Sequence, residues 1–426
     1  MKSKKLKKWT TLLTCATALT VMTACSQSSS QSTGTTSSTT SKTSAVTATT
    51  SKKTNKNNSN YFTSKDSDTS YNESSATKIK LSGSSADVSG DGAALSGSTV
   101  TISKAGTYVI SGKSDGVQIK VDAGDSDDVH VVLDGVTMTN TNAAINATKA
   151  GHVYLTLKDG TTNTLSDSSS NSDEDADAVI FSKGDLTING SGTLNIDAKK
   201  NNGIKANGSL HMTGGTYKIS SVGDAFNVND ELNITGTTMT IEAEEDAVKV
   251  DNDDDTSEGT MYLSDNTMTI KAGDDGIHAS GDIIIDSGTY KVEKLTEGIE
   301  GKSVTINGGN IDVYATDDGV NAANANASQS EIFFKMTGGT LNVEVGEGDT
   351  DPIDSNGDIF VSGGTINLTG QSGFDFDGSA TYTGGDITIN GEKQTKIENS
   401  MPGGGGPQGG GGPQGGGQPG GFGGGH

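Results

Sequence analysis

Arginine is absent from this sequence: all 30 basic residues among its 426 are lysine. Arginine's planar fork is the side chain best matched to phosphate and carboxylate. Its absence, together with a formal charge of −24, excludes a nucleic-acid-binding protein. It also excludes an arginine clamp for an acidic sugar. The two cysteines, Cys15 and Cys25, both lie at the start of the chain, so no disulfide can brace the remainder. The single tryptophan is Trp9, which leaves no obvious platform for stacking sugar rings. Proline is scarce, and no stretch has the three-to-four-residue apolar spacing of an amphipathic helix. Glycine, at 60 residues, is about twice its usual share, but without a strict Gly-X-Y period there is no collagen.

The first 24 residues read as an export signal. Lys2, Lys4, Lys5, Lys7 and Lys8 precede an apolar run from Leu12 to Met22. Met22-Thr23-Ala24-Cys25 resembles a bacterial lipobox, with Cys25 as the expected lipidation site. Two acyl chains on that thiol would anchor the protein to the outer face of the cell membrane. Removal of the five lysines before Cys25 takes the charge from −24 to −29. Residues 25–75 are rich in Ser, Thr, Asn, Gln and Lys and are expected to form a disordered tether. Residues 401–426 repeat Gly, Pro and Gln and cannot pack a core. Between them, residues 76–400 are expected to fold.

That middle region is built on a repeat. Thr193, Thr216, Thr238, Thr267, Thr289, Asn310, Thr340, Thr365 and Asp386 occupy one turn position, spaced by 23, 22, 29, 22, 21, 30, 25 and 21 residues. A base of 21–23 residues holds three short strands and three turns. The longer spacings come from insertions at 251–259, 322–330 and 346–351, which would gather on one face. Three apolar columns follow from alternation. The first runs Val179, Ile204, Phe226, Val248, Ile277, Ile299, Val320, Ile353 and Phe374. The second includes Leu232/Ile234, Tyr262 and Ile283/Ile285, and the third Tyr217/Ile219, Met239/Ile241 and Met268/Ile270. A strand of about four residues cannot bury its apolar side alone, so coils must stack. The expected fold is all-β, a right-handed parallel β-helix.

An acid recurs just before the first column: Asp177, Asp224, Asp246, Asp275, Glu297, Asp318 and Asp351, with doublets at Glu245-Asp246, Asp274-Asp275 and Asp317-Asp318. Stacked carboxylates repel, and hard oxygen ligands of this kind suit Ca²⁺. The expected calcium ligands are Asp224, Glu245, Asp246, Asp253, Asp274, Asp275, Glu297, Asp317 and Asp318. The alternative is an acidic ladder in which each Asp bonds its own turn backbone. The run from Asp251 to Glu258 resembles an EF-hand loop but has Thr256 where glycine is needed and Tyr262 where glutamate is. Just after the column, Lys205, Asn227, Lys249, His278, Glu300, Asn321, Asp354 and Asp375 should point outward, a polar strip of which the first six are the expected polysaccharide contacts. The other histidines, His130, His152 and His211, form with His278 no spacing typical of a transition-metal site.

The entry segment Val100–Gly112, the run Val129–Val136, the turn Gly160–Leu165 and the repeated Asp-Gly/Ala-apolar coils resemble the bacterial carbohydrate-binding β-helix family related in fold to pectate lyases. The resemblance covers about Ile79 to Gly391. It implies the fold, calcium dependence and a carbohydrate ligand, since members bind cellulose and acidic sugars such as polygalacturonate. A monomeric, lipid-anchored, calcium-assisted polysaccharide-binding protein is the expected function. Two alternatives stand beside it: a polysaccharide lyase or glycosidase, with Lys205 or Lys249 as a lyase base, and an adhesive surface protein.

Overall fold

A computed structural model of the protein describes residues 60–400, apart from Asp253, Thr256, Gly348 and Asp349. The fold is all-β. Between the end hairpins, strands pair in parallel with strands one coil away, as in Thr193–Ala198 on Thr216–Ser221 and Thr216–Ser221 on Thr238–Ala243. Three such ladders run the length of the domain and close a parallel β-helix. All nine turn markers fall in one register, from Thr193↔Thr216 through Thr365↔Asp386. Each backbone amide thereby finds its partner in the neighbouring coil, which is why strands as short as Phe226–Val228 hold together.

Alternation turns the apolar residues inward. Ile277, Ile299, Val320, Ile283, Val304, Ile306, Ile311 and Leu341 are fully buried in one continuous core. Two expected column members differ by one residue. Ile180 rather than Val179 pairs with Ile145 and Ile204, because Ala178, not Asp177, is the register partner of Asn202. Met261 and Leu263, not Tyr262, continue the second column onto Ile283 and Ile285. With a side-chain period of two, a one-residue slip moves a side chain to the opposite face; Tyr262 therefore sits on the outer side of its strand.

The coils approach closely where the acid column meets the first ladder. A Cβ on Gly298 would lie 2.3 Å from the Gly319 carbonyl oxygen and 2.3 Å from Val313 Cγ1. One on Gly319 would lie 2.7 Å from the Pro352 carbonyl oxygen. The insertions split between two turns. Residues 251–259 and 322–330 lie between first-ladder and second-ladder strands, whereas 346–351 precede the first-ladder strand Ile353–Ser355.

Antiparallel hairpins close both ends. Thr77–Gly83 pairs with Ser85–Ser89, and Ala93–Ser96 with Thr99–Ile102. Asp386–Ile389 pairs with Glu392–Lys393 at the other end. These ends block further strand addition to the open coils.

The tether was expected to continue to residue 75, but residues 60–75 dock on the outer side of the second ladder. Tyr61 stacks on Tyr262 with ring centroids 3.7 Å apart, and Asn233 donates to the Tyr61 carbonyl. Asp66 is only 3% exposed. It accepts hydrogen bonds from the Thr63 amide and the Thr187 hydroxyl and contacts His211 Nδ1 at 3.2 Å. Asn189 and Thr213 donate to its carbonyl. Lys65 pairs with Asp128, and Tyr71 packs edge-on to His130. Composition alone marks this segment as unable to fold; it is ordered by a surface that supplies complementary polar partners.

Burial works against the Asp66 carboxylate, but His211, Thr63 and Thr187 outweigh it and hold the group below the usual range. Burial likewise works against a charged His211, but Asp66 and Glu231 raise it to about 9. The Asp66 contribution is complete above its ordinary value of 3.8 and is lost as pH falls below it. The His211 contribution is complete below 6.5 and is lost as pH rises through about 9. Protection of the amides over residues 61–68, measured against intrinsic exchange at each pH, is therefore expected to be highest between pH 3.8 and 6.5 and to fall on either side. Asp66→Ala is expected to reduce local protection by about 2–3 kcal/mol, because it leaves buried polar partners unmatched. Unchanged exchange in that variant would show that the segment is held by other contacts.

Candidate functional site

The acid column and the outward strip meet along the first ladder. The register puts Phe181, Lys205, Asn227, Lys249, His278, Glu300, Asn321, Asp354 and Asp375 opposite one another, coil after coil. The strip expected from alternation is thus a continuous row of adjacent side chains.

The acids of the column have a structural task that explains their position. The Asp224 amide donates to Asn202 Oδ1, the Asp246 amide to Asp224 Oδ1, the Asp275 amide to Asp246 Oδ1 and the Glu297 amide to Asp275 Oδ1. The Asp351 amide donates to Asp318 Oδ1. In these coils one side-chain oxygen therefore satisfies the turn amide of the next coil, which would otherwise be buried without an acceptor. Asn202 fills the same role without charge, so the backbone bond alone does not require an acid.

The second oxygen faces the strip, and there the two halves of the ladder differ. In the earlier coils each acid has a built-in partner. Lys205 Nζ pairs with Asp177 at 2.8 Å, Asn227 donates to Asp224 at 2.6 Å, and Lys249 Nζ pairs with Asp246 at 2.8 Å. Midway, His278 Nδ1 lies 3.3 Å from Asp275 Oδ2 and 2.7 Å from Glu300 Oε2. Beyond that point the row becomes acidic. Asn321 donates to Glu297 and Ser372 to Asp351. Among the described residues no salt bridge reaches Glu297, Asp318, Asp351 or Asp354.

Proton affinities follow this division. Burial, followed by the charges of Glu300, Asp275 and Asp318, raises Glu297 to about 7. Burial and then the neighbouring charges of Asp317, Asp351 and Asp375 raise Asp318 to about 6. Burial and the charges of Asp318, Asp375 and Asp351 raise Asp354 to about 7. In contrast, the hydrogen bond from His278 lowers Glu300. Burial disfavours the charged His278 ring, but Asp275 and Glu300 prevail and raise it to about 10.

The expected calcium ligands fall into distinct places. Asp224 and Asp246 are buried, with both oxygens already hydrogen-bonded or paired. Asp275, Glu297 and Asp318 line the row. The first acids of the doublets, Glu245, Asp274 and Asp317, are exposed. Asp253 and Cys25 lie outside the described residues. Alternation identifies Asp351, Asp354 and Asp375 as polar positions but not as one cluster. Their meeting depends on cross-coil register after an insertion, which spacing alone does not reveal. The same holds for Asp275, His278 and Glu300, whose third member comes from the adjacent coil.

The sequence profile of the family described as "Carbohydrate-binding domain-containing protein" matches residues 96–351 and 279–403. A curated protein of that same description from Acetivibrio thermocellus is 37% identical over 137 residues, covering 31% of this chain and 48% of the relative. The match thus spans about half of that relative's length. A solved structure, described as that of the polysaccharide lyase-like protein from C. thermocellum in a gadolinium derivative, aligns at 25% identity with a TM-score of 0.35. That alignment covers 74% of this chain and 95% of the other, and at this TM-score it carries no argument.

Glu297, Asp318 and Asp354 have raised folded-state values, so the folded protein holds protons that the unfolded chain releases. Their stabilising contribution is complete below about pH 4, the ordinary carboxyl range, and is lost as pH rises through 6 to 7. In metal-free buffer the melting temperature is expected to fall over that window. The doubly substituted Asp318→Asn, Asp354→Asn protein is expected to show a flatter profile. An identical profile in both proteins would show that the cluster does not carry this dependence.

Proposed function

The chain belongs to the family of carbohydrate-binding domain-containing proteins, and on that premise we propose that it is a surface-anchored polysaccharide-binding protein selecting acidic, uronate-containing glycans with the help of calcium. The observation that carries this reading is the abrupt change along one continuous row. Hydrogen-bonding side chains from Lys205 to Asn321 lead into a group of carboxylates with no basic partner among the described residues.

The donor set of that group suits the ion. Glu297, Asp318, Asp351 and Asp354 offer only oxygen, and burial together with neighbouring negative charge makes the charged forms of Glu297, Asp318 and Asp354 costly at neutral pH. Oxygen ligands in a flexible arrangement are what Ca²⁺ takes. Bound calcium would supply the positive charge that lets these carboxylates and a uronate carboxylate lie together. The protein's own residues would do the rest. Lys205, Asn227, Lys249, His278, Glu300 and Asn321 would present donors and acceptors to sugar hydroxyls, and the rigid coil stacking would keep them in line. A lipid on Cys25 would hold the domain at the cell surface, with the chain before Asn60 as its tether.

The lyase alternative is not favoured by the geometry. Lys205 and Lys249, the bases it would use, are each engaged by a ladder acid, and Lys249 has its proton held more tightly than usual: burial opposes this, but Asp246 prevails.

Titration with polygalacturonate in calcium, and again with a chelator, tests the reading. Binding is expected in calcium and is expected to disappear with the chelator. Asp318→Asn combined with Asp354→Asn should weaken it at least about tenfold, or about 1.4 kcal/mol. Asn202 shows that an amide at the ladder position preserves the backbone bond, so this variant should fold. Chelator-insensitive binding would remove calcium from the reading. Failure to bind any acidic or neutral glycan would favour an adhesive role, and unsaturated uronate product would make the protein a lyase.

A further inference from the structure

We propose that Asp275, His278 and Glu300 form a site for a borderline divalent metal ion of the Zn²⁺ class, separate from the oxygen-only cluster proposed for calcium. One ligand atom from each residue, including an imidazole nitrogen and two carboxylate oxygens, lies within 4.8 Å of the other two. The three residues come from adjacent coils. Asp275 ends the turn into the strand Ile277–Ile285, His278 lies on that strand, and Glu300 is its register partner on Ile299–Ile306.

The present hydrogen bonding of this group is incomplete in a specific way. A single nitrogen, His278 Nδ1, faces both carboxylates, at 2.7 Å from Glu300 and 3.3 Å from Asp275. One N–H cannot serve two carboxylates equally, and one imidazolium charge balances only one of them. A dication in the same space would ligate all three atoms and neutralise both acids. Lys249 does not serve this purpose, because its ammonium is held by Asp246 in the neighbouring coil.

The ligands are also oriented before any ion arrives. The Asp275 amide is fixed by Asp246 Oδ1, and its own Oδ1 accepts the Glu297 amide, leaving Oδ2 directed at His278. Support of this kind from surrounding groups is what aims and retains metal ligands. His278 and Glu300 are held by backbone pairing on consecutive strands. Their side chains remain 22% and 24% exposed, which gives an ion a path in from solvent.

The ligand types decide the class of metal. Imidazole nitrogen with two carboxylates matches zinc and its neighbours, whereas Ca²⁺ prefers all-oxygen sets. Three protein ligands leave a fourth position open, as at zinc sites that bind water or a further ligand. That position faces the strip proposed to contact glycan.

The test titrates the chelator-stripped mature chain with Zn²⁺ alone, and with Co²⁺ as a spectroscopic substitute. One equivalent of Zn²⁺ is expected to bind in the presence of excess Ca²⁺, and Co²⁺ is expected to show the visible absorption of a low-coordinate, nitrogen-containing site. His278→Ala and Glu300→Gln should each weaken Zn²⁺ binding at least about tenfold, a loss of about 1.4 kcal/mol, and abolish the cobalt bands. Glu344→Gln, an exposed acid on the third ladder, should change neither. Circular dichroism and melting establish whether each variant is folded, and Glu300→Gln retains a partner for His278 if His278→Ala does not fold. The Asp318→Asn, Asp354→Asn protein should still bind Zn²⁺, which separates this site from the calcium reading. Zn²⁺ binding that is absent, or that is equal in the wild type and the Glu300→Gln variant, overturns the proposal.

Discussion

Parallel backbone pairing between successive coils is the constraint on which this structure depends. Most strands have only three to six residues, too few to be stable alone, and within the stack they become stable because both edges are occupied. Pairing also fixes what lies beside what. Once Ile277 is opposite Ile299 and Ile299 opposite Val320, His278, Glu300 and Asn321 must be neighbours on the outside. The functional row is thus a consequence of the core: the inward residues set the register and the outward residues inherit it.

The acid column shows how one side chain can serve the fold and the surface together. One oxygen of Asp224, Asp246, Asp275 and Asp318 closes a turn amide in the next coil, a task Asn202 performs without charge. Charge at these positions therefore bears on the second oxygen. Where lysine stands in the row, that charge is balanced internally, and His278 balances one of the two carboxylates it faces. Where Asp354 and Asp375 replace them, carboxylates face carboxylates, and the proton affinities of Asp318 and Asp354 rise. A repeat that is uniform in backbone is graded in electrostatics, from paired ions through a histidine-centred triad to an oxygen-only cluster.

The opposite situation holds on the second ladder. Its outer side carries Thr187, Asn189, His211, Asn233 and Tyr262, and the chain's own residues 60–75 cover part of it. The segment crosses several coils and makes few apolar contacts beyond Tyr61 and Phe62. It is held mainly by Asp66, whose carboxylate and carbonyl bind four different side chains of the helix. The covered outer side of the second ladder is therefore distinct from the open row on the first.

The sequence by itself determined the β-helix, its coil length and nearly all of its inward residues. These properties recur about every 22 residues, so each copy corroborates the others and a single misplacement, such as Tyr262 or Val179, does not disturb the pattern. It also marked the acids and the outward strip as positions. Only the tertiary structure decided which of those residues meet. Glu245 and Asp246 are chemically alike and adjacent, yet one is exposed and the other is 4% exposed within the ladder. The docking of Asp66 against Thr187 and His211, at sequence separations of 121 and 145, occurs once and leaves no period to read. Repeated local pattern encodes the scaffold, whereas partnership across coils depends on turn lengths and register that become definite only when the coils are stacked.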